Sequence, residues 1–101
     1  MTRHDQPNAL ARALRRFFAE HMPLARGLSP HTVLSYRDAF ALLLRFLAAR
    51  SGRHVVDLDV GDIDPGGVIA FLEDLETARG NTAVTRNARL AAIHAFARFV
   101  A

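Results

Sequence analysis

The side chains that could bind an anion fall in two short stretches, each at the predicted start of a helix. The first stretch follows Ser29-Pro30, where the serine is a good helix N-cap and the proline suits the first helical position. The N-terminus of a helix carries free backbone N–H groups and a partial positive charge, so it attracts phosphate. The polar residues at this predicted phosphate-binding tip are His31, Thr32 and Ser35.

The second stretch begins where Asn81 or Thr82 can cap another helix, and it adds guanidinium groups. An asparagine that faces the major groove can hydrogen-bond the edge of an adenine, so Asn87 is a candidate for base recognition. Arg86 and Arg89 suit phosphate binding, but both could instead lie along apolar surface or pair with acidic side chains. The candidate DNA-binding residues of this stretch are Thr82, Thr85, Arg86, Asn87 and Arg89.

Residues for catalysis or metal binding are sparse. The chain has five histidines and no cysteine, and no two histidines have the HExxH spacing of a zinc site. The serines lack the glycines of a nucleophile elbow, and no glycine-rich phosphate loop is present. Aspartates 57, 59, 62 and 64 lack the central glycine and terminal glutamate of a calcium loop. The sequence therefore predicts no catalytic residue, metal or cofactor.

Composition favours a single small domain. The chain has 101 residues, half of them hydrophobic, and no apolar run approaches the roughly 20 residues that span a bilayer. Residues 1–7 are polar and do not resemble a signal peptide. We therefore expect a cytoplasmic protein with no membrane contact, consisting of a flexible arm (1–7) and one domain (8–101).

Charge is distributed unevenly along the chain. All 13 basic residues are arginine. Residues 1–53 hold nine arginines and three acids, residues 54–78 hold seven acids and no arginine, and residues 79–101 hold four arginines and no acid. This alternation favours a molecule with one basic and one acidic face, although solvated helix surfaces would give the same pattern.

Apolar periodicity and capping residues predict four helices, and hence an all-α fold: a compact bundle of four main helices. The first spans 8–22 and ends at Pro23; the second spans 30–50, with Gly52 after it; the third spans 65–79 behind the N-cap Asp64; the fourth runs to the end of the chain. Residues 53–64 are predicted to be a loop, and Arg26-Gly27 a turn. The predicted apolar sets are Leu10, Leu14, Phe17, Phe18 and Met22; Val33, Tyr36, Phe40, Leu43, Leu44 and Leu47; Val68, Ile69, Phe71, Leu72 and Leu75; and Leu90, Ile93, Phe96, Ala97 and Val100.

Two of these segments resemble a known family. The run GLSPHTVLSYR at 27–37 is similar to the second helix of the core-binding (SAM-like) domain of tyrosine recombinases, the phage-integrase family. The run TRNARLAAIHAF at 85–96 is similar to the last long helix of that domain. The resemblance covers about residues 8–101.

This resemblance implies a DNA-binding role. In the family, the second and fourth helices of the domain enter the major groove, and a separate catalytic domain closes the clamp around the duplex. The nucleophilic tyrosine belongs to that catalytic domain, which we expect to be absent here. Tyr36 is therefore expected to pack in the core, and the chain alone is not expected to be an enzyme. His94 stands where relatives often carry Arg or Lys. The implied partners are double-stranded DNA, the protein's own catalytic domain and neighbouring recombinase protomers.

Two other functions remain open at the level of sequence. A helix-turn-helix regulator would use the tight junction Arg79-Gly80-Asn81 between the third and fourth helices. A helical protein-interaction module would use a second apolar face on the second helix, formed by Leu34, Leu42 and Phe46.

Overall fold

The computed structural model describes residues 8–24 and 28–101, so the predicted arm at 1–7 and the predicted turn at Arg26-Gly27 lie outside the described residues. The described part contains four main helices and no strand, which confirms the all-α prediction. The helices are α1 (Ala9–Arg16, continued by a π-helical segment Phe17–His21 and a last turn Met22–Leu24), α2 (Pro30–Ser51), α3 (Pro65–Thr77) and α4 (Ala83–Val100).

Asn8 fixes the start of α1 to a distant part of the chain. Its side-chain oxygen accepts a hydrogen bond from the Ala11 N–H at 2.9 Å, which caps the helix. Its amide nitrogen donates to the carbonyl oxygens of Val56, at 3.0 Å, and Leu58. One side chain therefore joins α1 to the connection between α2 and α3.

The end of α1 differs from the prediction, because the helix passes through Pro23 and includes Leu24. In a regular α-helix a proline ring clashes with the carbonyl four residues earlier. Here the preceding turn is π-helical, and the Met22 N–H donates to the carbonyl of Phe17, five residues back. This wider turn accommodates the ring and lets the helix continue.

The other three helices begin at the predicted caps. Ser29 accepts from the Thr32 N–H at 3.2 Å, and Asp64 accepts from the Gly67 N–H at 2.6 Å. Thr82, rather than Asn81, caps α4. At the other ends, α2 stops at a glycine with φ of 67°, as predicted, and α3 stops two residues before the predicted end.

Aromatic side chains hold the bundle together. Phe17 of α1, Phe40 of α2 and Phe96 of α4 are all buried, and the Phe40 and Phe96 ring centroids are 5.2 Å apart. The edge-on geometry of these pairs stabilises the core beyond the area that they bury. The ring centroids of Phe46 of α2 and Phe71 of α3 are 5.7 Å apart, and this contact packs α3 against α2.

Most of the predicted apolar residues pack in this core; Ile69, Leu90, Ala97 and Val100 do not. Ile69 is 58% exposed, because it lies two residues before the buried Phe71 and therefore points to the opposite side of α3. At the end of α4, Ala97 and Val100 are exposed, and Phe99 packs on Phe17 instead. Tyr36 packs against the core, as predicted.

The predicted loop 53–64 contains two short 3-10 turns, Val55–Asp57 and Val60–Asp62, on either side of the fully buried Leu58. Asp59 and Asp62 cap the second turn reciprocally. No helix in the described part of the chain is long and apolar enough to cross a membrane.

Candidate nucleic-acid interface

The tip of α2 presents two of its three predicted ligands to solvent. His31 and Ser35 are exposed, whereas Thr32 is half-buried. The Thr32 hydroxyl lies 3.2 Å from the hydroxyl of the capping Ser29, so these two groups partner each other. The tip therefore offers one imidazole, one free hydroxyl and the helix dipole to an anion.

The tip of α4 is capped in the same way. The Thr82 hydroxyl accepts from the Thr85 N–H and also donates to the Thr85 hydroxyl, both at 3.2 Å. Thr82 is exposed and Thr85 is half-buried. The first role of this pair is thus to begin the helix, and Thr82 is the more exposed of the two residues.

Arg86 is held by an ion pair across the helices. Its Nη1 lies 3.1 Å from Oε1 of Glu76, near the end of α3, and its Nη2 donates to Oδ1 of Asn87 at 3.4 Å. Its Nε is buried and makes no hydrogen bond with a described residue. The alternative of pairing with an acid of the third helix is therefore confirmed for Arg86.

Arg89 differs from Arg86, because no described residue forms an ion pair or a hydrogen bond with it. Its Nε is buried against the protein while the residue as a whole is half-buried. The side chain therefore lies along the surface with its cationic end unneutralised. Such a cation is available to a phosphate.

The structure joins the α4 residues into one group and leaves the α2 residues in another. Glu76, Arg86 and Asn87 form a continuous polar chain, whose two ends, Glu76 and Asn87, are exposed. In the described part of the chain, no hydrogen bond or ion pair joins this group to the α2 tip. The two helices meet through Phe40 and Phe96.

Acidic residues of the connection serve the fold. The N–H of Asp59 donates to the Asp62 carboxylate at 2.7 Å, and Arg53 lies 2.5 Å from it; both lower the pKa of Asp62, against the opposing effect of burial. Within residues 8–24 and 28–101, no group of three or more metal-binding side chains comes together.

Two residues that matter to the surface of α4 were missed from sequence. Glu76 was counted only among the seven acids of residues 54–78, and its contact with Arg86 depends on how α3 packs on α4. Val84 is 80% exposed at the first turn of α4. Its position outside the apolar periodicity of the helix was the available signal.

Comparison with known proteins relates the chain to a family. The sequence profile of the family described as "Phage integrase, N-terminal SAM-like domain" matches residues 13–101. The chain is 42% identical over its whole length to the integrase/recombinase y4rC of Sinorhizobium fredii, of which it covers 30%. It is 38% identical over 93% of its length to the tyrosine recombinase XerC of Rhodospirillum centenum, of which it covers 27%. No solved structure matches. The chain thus spans about a third of the length of these relatives or less.

Proposed function

The chain belongs to the family of phage-integrase N-terminal SAM-like domains, and we propose that it is the DNA-binding domain of a site-specific tyrosine recombinase. In this proposal the domain grips one half-site of the recombination target through α2 and α4. The observation that carries it is the tip of α4, where Arg89 is free of described partners and Asn87 is exposed. The names of the relatives state integration or recombination, and we propose duplex DNA as the corresponding ligand of this domain.

Charge supports the choice of α4 as a DNA-contacting helix. It carries three arginines and no acidic residue. The acidic segment 54–78 is partly neutralised within the fold, since Arg53 pairs with Asp62 and Arg86 with Glu76. The remaining arginines would meet phosphates, whose contacts supply most of the affinity of such domains and make it sensitive to salt.

The proposed division of labour follows from what the side chains can do. Arg86, Arg89, Thr82 and the α2 tip would contact phosphates and fix the position of the domain on the duplex. Asn87 would read a base edge in the major groove. Thr32 and Thr85 would act through the caps that they complete, since their hydroxyls already have partners.

DNA cleavage is proposed to belong to another part of the recombinase. Tyr36, the one tyrosine of the sequence, packs against the core. The proposed partners are therefore duplex DNA, the protein's own catalytic domain and neighbouring protomers in the recombining assembly, acting in the cytoplasm.

The test is the fluorescence anisotropy of a random-sequence duplex titrated with the 101-residue chain across a salt series. We expect binding whose logarithmic salt dependence corresponds to several phosphates. The double variant Arg86→Ala/Arg89→Ala should reduce that slope by about two phosphate contacts. The matched control is Arg45→Ala/Arg98→Ala, which removes the same charge from exposed positions away from the two helix tips.

The experiment tests the roles of Arg86 and Arg89 separately from the DNA-binding function of the domain. Equal losses in both double variants would mean that only net charge matters, and would overturn the assignment of Arg86 and Arg89. Absence of duplex binding at the lowest salt would overturn the DNA-binding function of this domain.

One observation weighs against the helix-turn-helix regulator. The connection between α3 and α4 comprises the five residues 78–82, longer than the three or four of that motif. The interaction-module hypothesis rests on a second apolar face of α2, and that face is not one exposed surface. Leu34 is 57% exposed, whereas Leu42 and Phe46 pack against the core.

A further inference from the structure

A groove between α1 and α2 combines an apolar floor with two cations. Its volume is about 360 Å³, and its lining consists of Leu14, Arg15, Phe18, Ala19 and Arg37. Both arginines are exposed, and the Arg37 guanidinium lies 5.8 Å from the centroid of the Phe18 ring, which holds this cation at the rim. In the described part of the chain, no acidic residue lines the groove.

The two cations of the groove are not neutralised within the fold. No described residue forms an ion pair with Arg15 or Arg37. A ligand that fits this groove therefore supplies an apolar group for the floor and an anion for the rim. The phosphate backbone of a duplex supplies the anion but no aliphatic side chain, whereas an acidic helix with an exposed aliphatic residue supplies both.

The outer face of α3 is such a surface. Ile69 is 58% exposed, and the exposed Glu73 lies four residues later on the same face. Glu73 forms no ion pair with a described residue, whereas Glu76 is paired with Arg86. The helix contains no basic residue that would compete for the Glu73 carboxylate or be repelled by the groove.

The other exposed large apolar residues on the described helices lack this combination. Leu34 has Arg37 as well as Asp38 within one turn, so a cation accompanies it. Val84 and Val100 lie on α4, which has no acidic residue. The surface that complements the groove thus belongs to the same chain, and the partner that carries it is a second copy. The charges of the two segments agree, since residues 1–53 hold nine arginines and residues 54–78 hold seven acids.

We propose that α3 of one copy docks in the groove between α1 and α2 of another, with Ile69 on the apolar floor and Glu73 beside the two arginines. Because the two surfaces lie on different helices, the contact is heterologous, and each copy can engage two neighbours. The contact goes beyond the proposed function in needing no DNA. It rests on that function only where it assigns this contact to neighbouring protomers of the recombining assembly.

The test is sedimentation equilibrium of the 101-residue chain over a concentration series at low salt. We expect the average mass of the wild type to rise with concentration. The association constant should fall about tenfold in Arg15→Glu and in Glu73→Arg, because each variant brings like charges together. An equimolar mixture of these two variants should regain association, because each mixed contact again pairs opposite charges. The control Arg98→Glu makes the same charge change at an exposed position of α4 and should have a much smaller effect.

The apolar half of the contact is tested by Ile69→Ser, with Val84→Ser as the matched change of an exposed aliphatic residue on α4. We expect the first to weaken association about tenfold, since it removes the side chain that the groove buries, and the second to have no effect. A wild type that stays monomeric, equal losses in a variant and its control, or a mixture that does not recover would each overturn the inference.

Duplex titrations of the same proteins separate this inference from the proposed function. Loss of duplex binding in Arg15→Glu with unchanged self-association would assign the groove to DNA and overturn the contact between copies. A wild type that self-associates as expected but binds no duplex would overturn the proposed function alone.

Discussion

Nη1 of Arg86 on α4 lies 3.1 Å from Oε1 of Glu76 on α3, and the two side chains are 36% and 46% exposed. A cation proposed to bind phosphate is therefore already paired with a carboxylate in the free domain. Binding to DNA has to exchange this partner for a phosphate oxygen, so the pair opposes the proposed interaction.

Replacement of Glu76 by glutamine should therefore strengthen duplex binding. An exposed ion pair contributes up to about 1 kcal/mol, so we expect a rise in affinity of about two- to fivefold at low salt. The rise should fade as salt screens the pair. Anisotropy titrations measure it, with Glu73→Gln as the control, because that exposed residue of α3 carries the same charge and forms no ion pair with a described residue. Weaker binding of Glu76→Gln would mean that Glu76 orients Arg86 for DNA.

The side-chain amide of Asn8 should stabilise the fold as much through the hydrogen bonds that its nitrogen donates as through the helix cap that its oxygen forms. Asn8→Ala removes the cap and both bonds to the connection, and we expect a loss of about 1 to 2 kcal/mol in the free energy of unfolding. Asn8→Asp keeps a capping oxygen but turns an acceptor toward the carbonyls of Val56 and Leu58. We therefore expect it to be no more stable than Asn8→Ala in urea denaturation.

The control for this comparison is Ser29→Asp, an equivalent change at the N-cap of α2. Since aspartate is a good N-cap, that variant should unfold near the wild-type urea concentration. A fully stable Asn8→Asp would show that the two carbonyl contacts add nothing.

Two adjacent glycines of α3 should respond to alanine in opposite ways. A Cβ on Gly67 would lie 2.9 Å from Cδ2 of the buried Leu47 and 3.0 Å from Oδ1 of Asp64, whereas on Gly66 its nearest contact is 3.8 Å away. Gly67→Ala should cost about 1 to 3 kcal/mol through overpacking. Gly66→Ala should stabilise the domain by up to about 1 kcal/mol through helix propensity. Thermal unfolding of the pair measures both, and equal melting temperatures would contradict the predicted close packing.

The Asp62 carboxylate should make stability depend on acid pH. The hydrogen bond from the Asp59 N–H, followed by Arg53, holds the pKa of Asp62 below its usual 3.8. A carboxyl group with a lowered folded-state pKa contributes stability that is complete above its unfolded pKa and lost as the pH falls through the folded value. The difference in unfolding free energy between wild type and Asp62→Asn should therefore be present at neutral pH and shrink below 3.8.

Asp38→Asn serves as the matched change for Asp62→Asn, because Asp38 is an exposed carboxylate of α2. Both substitutions remove one carboxylate charge, so a change in stability common to the two reflects net charge rather than the contacts of Asp62. If the Asp62 difference persists undiminished at low pH, its contribution is one of packing rather than charge.

The helices themselves were determined locally, and the sequence was enough to place them. The N-caps of α2, α3 and α4 could be predicted because a capping side chain satisfies a free N–H group within three residues of it. These caps are Ser29, Asp64 and Thr82. The apolar spacing likewise identified Phe17, Phe40 and Phe96 as core residues. The passage of α1 through Pro23 was not predicted, since it depends on a π-helical turn that apolar spacing and capping residues do not indicate.

The surface of α4 was decided by tertiary structure. Sequence spacing named Arg86, Asn87 and Arg89 as candidates but could not show their surroundings. In the fold, Glu76 of α3 pairs with Arg86, the Nε atoms of both arginines are buried, and Asn87 and Val84 are exposed. Such contacts join residues that are distant in sequence or set which side of a helix faces solvent, and both depend on the arrangement of whole helices. A pattern along the chain records neither, which is why the partner of Arg86 and the exposure of Val84 became known only from the fold.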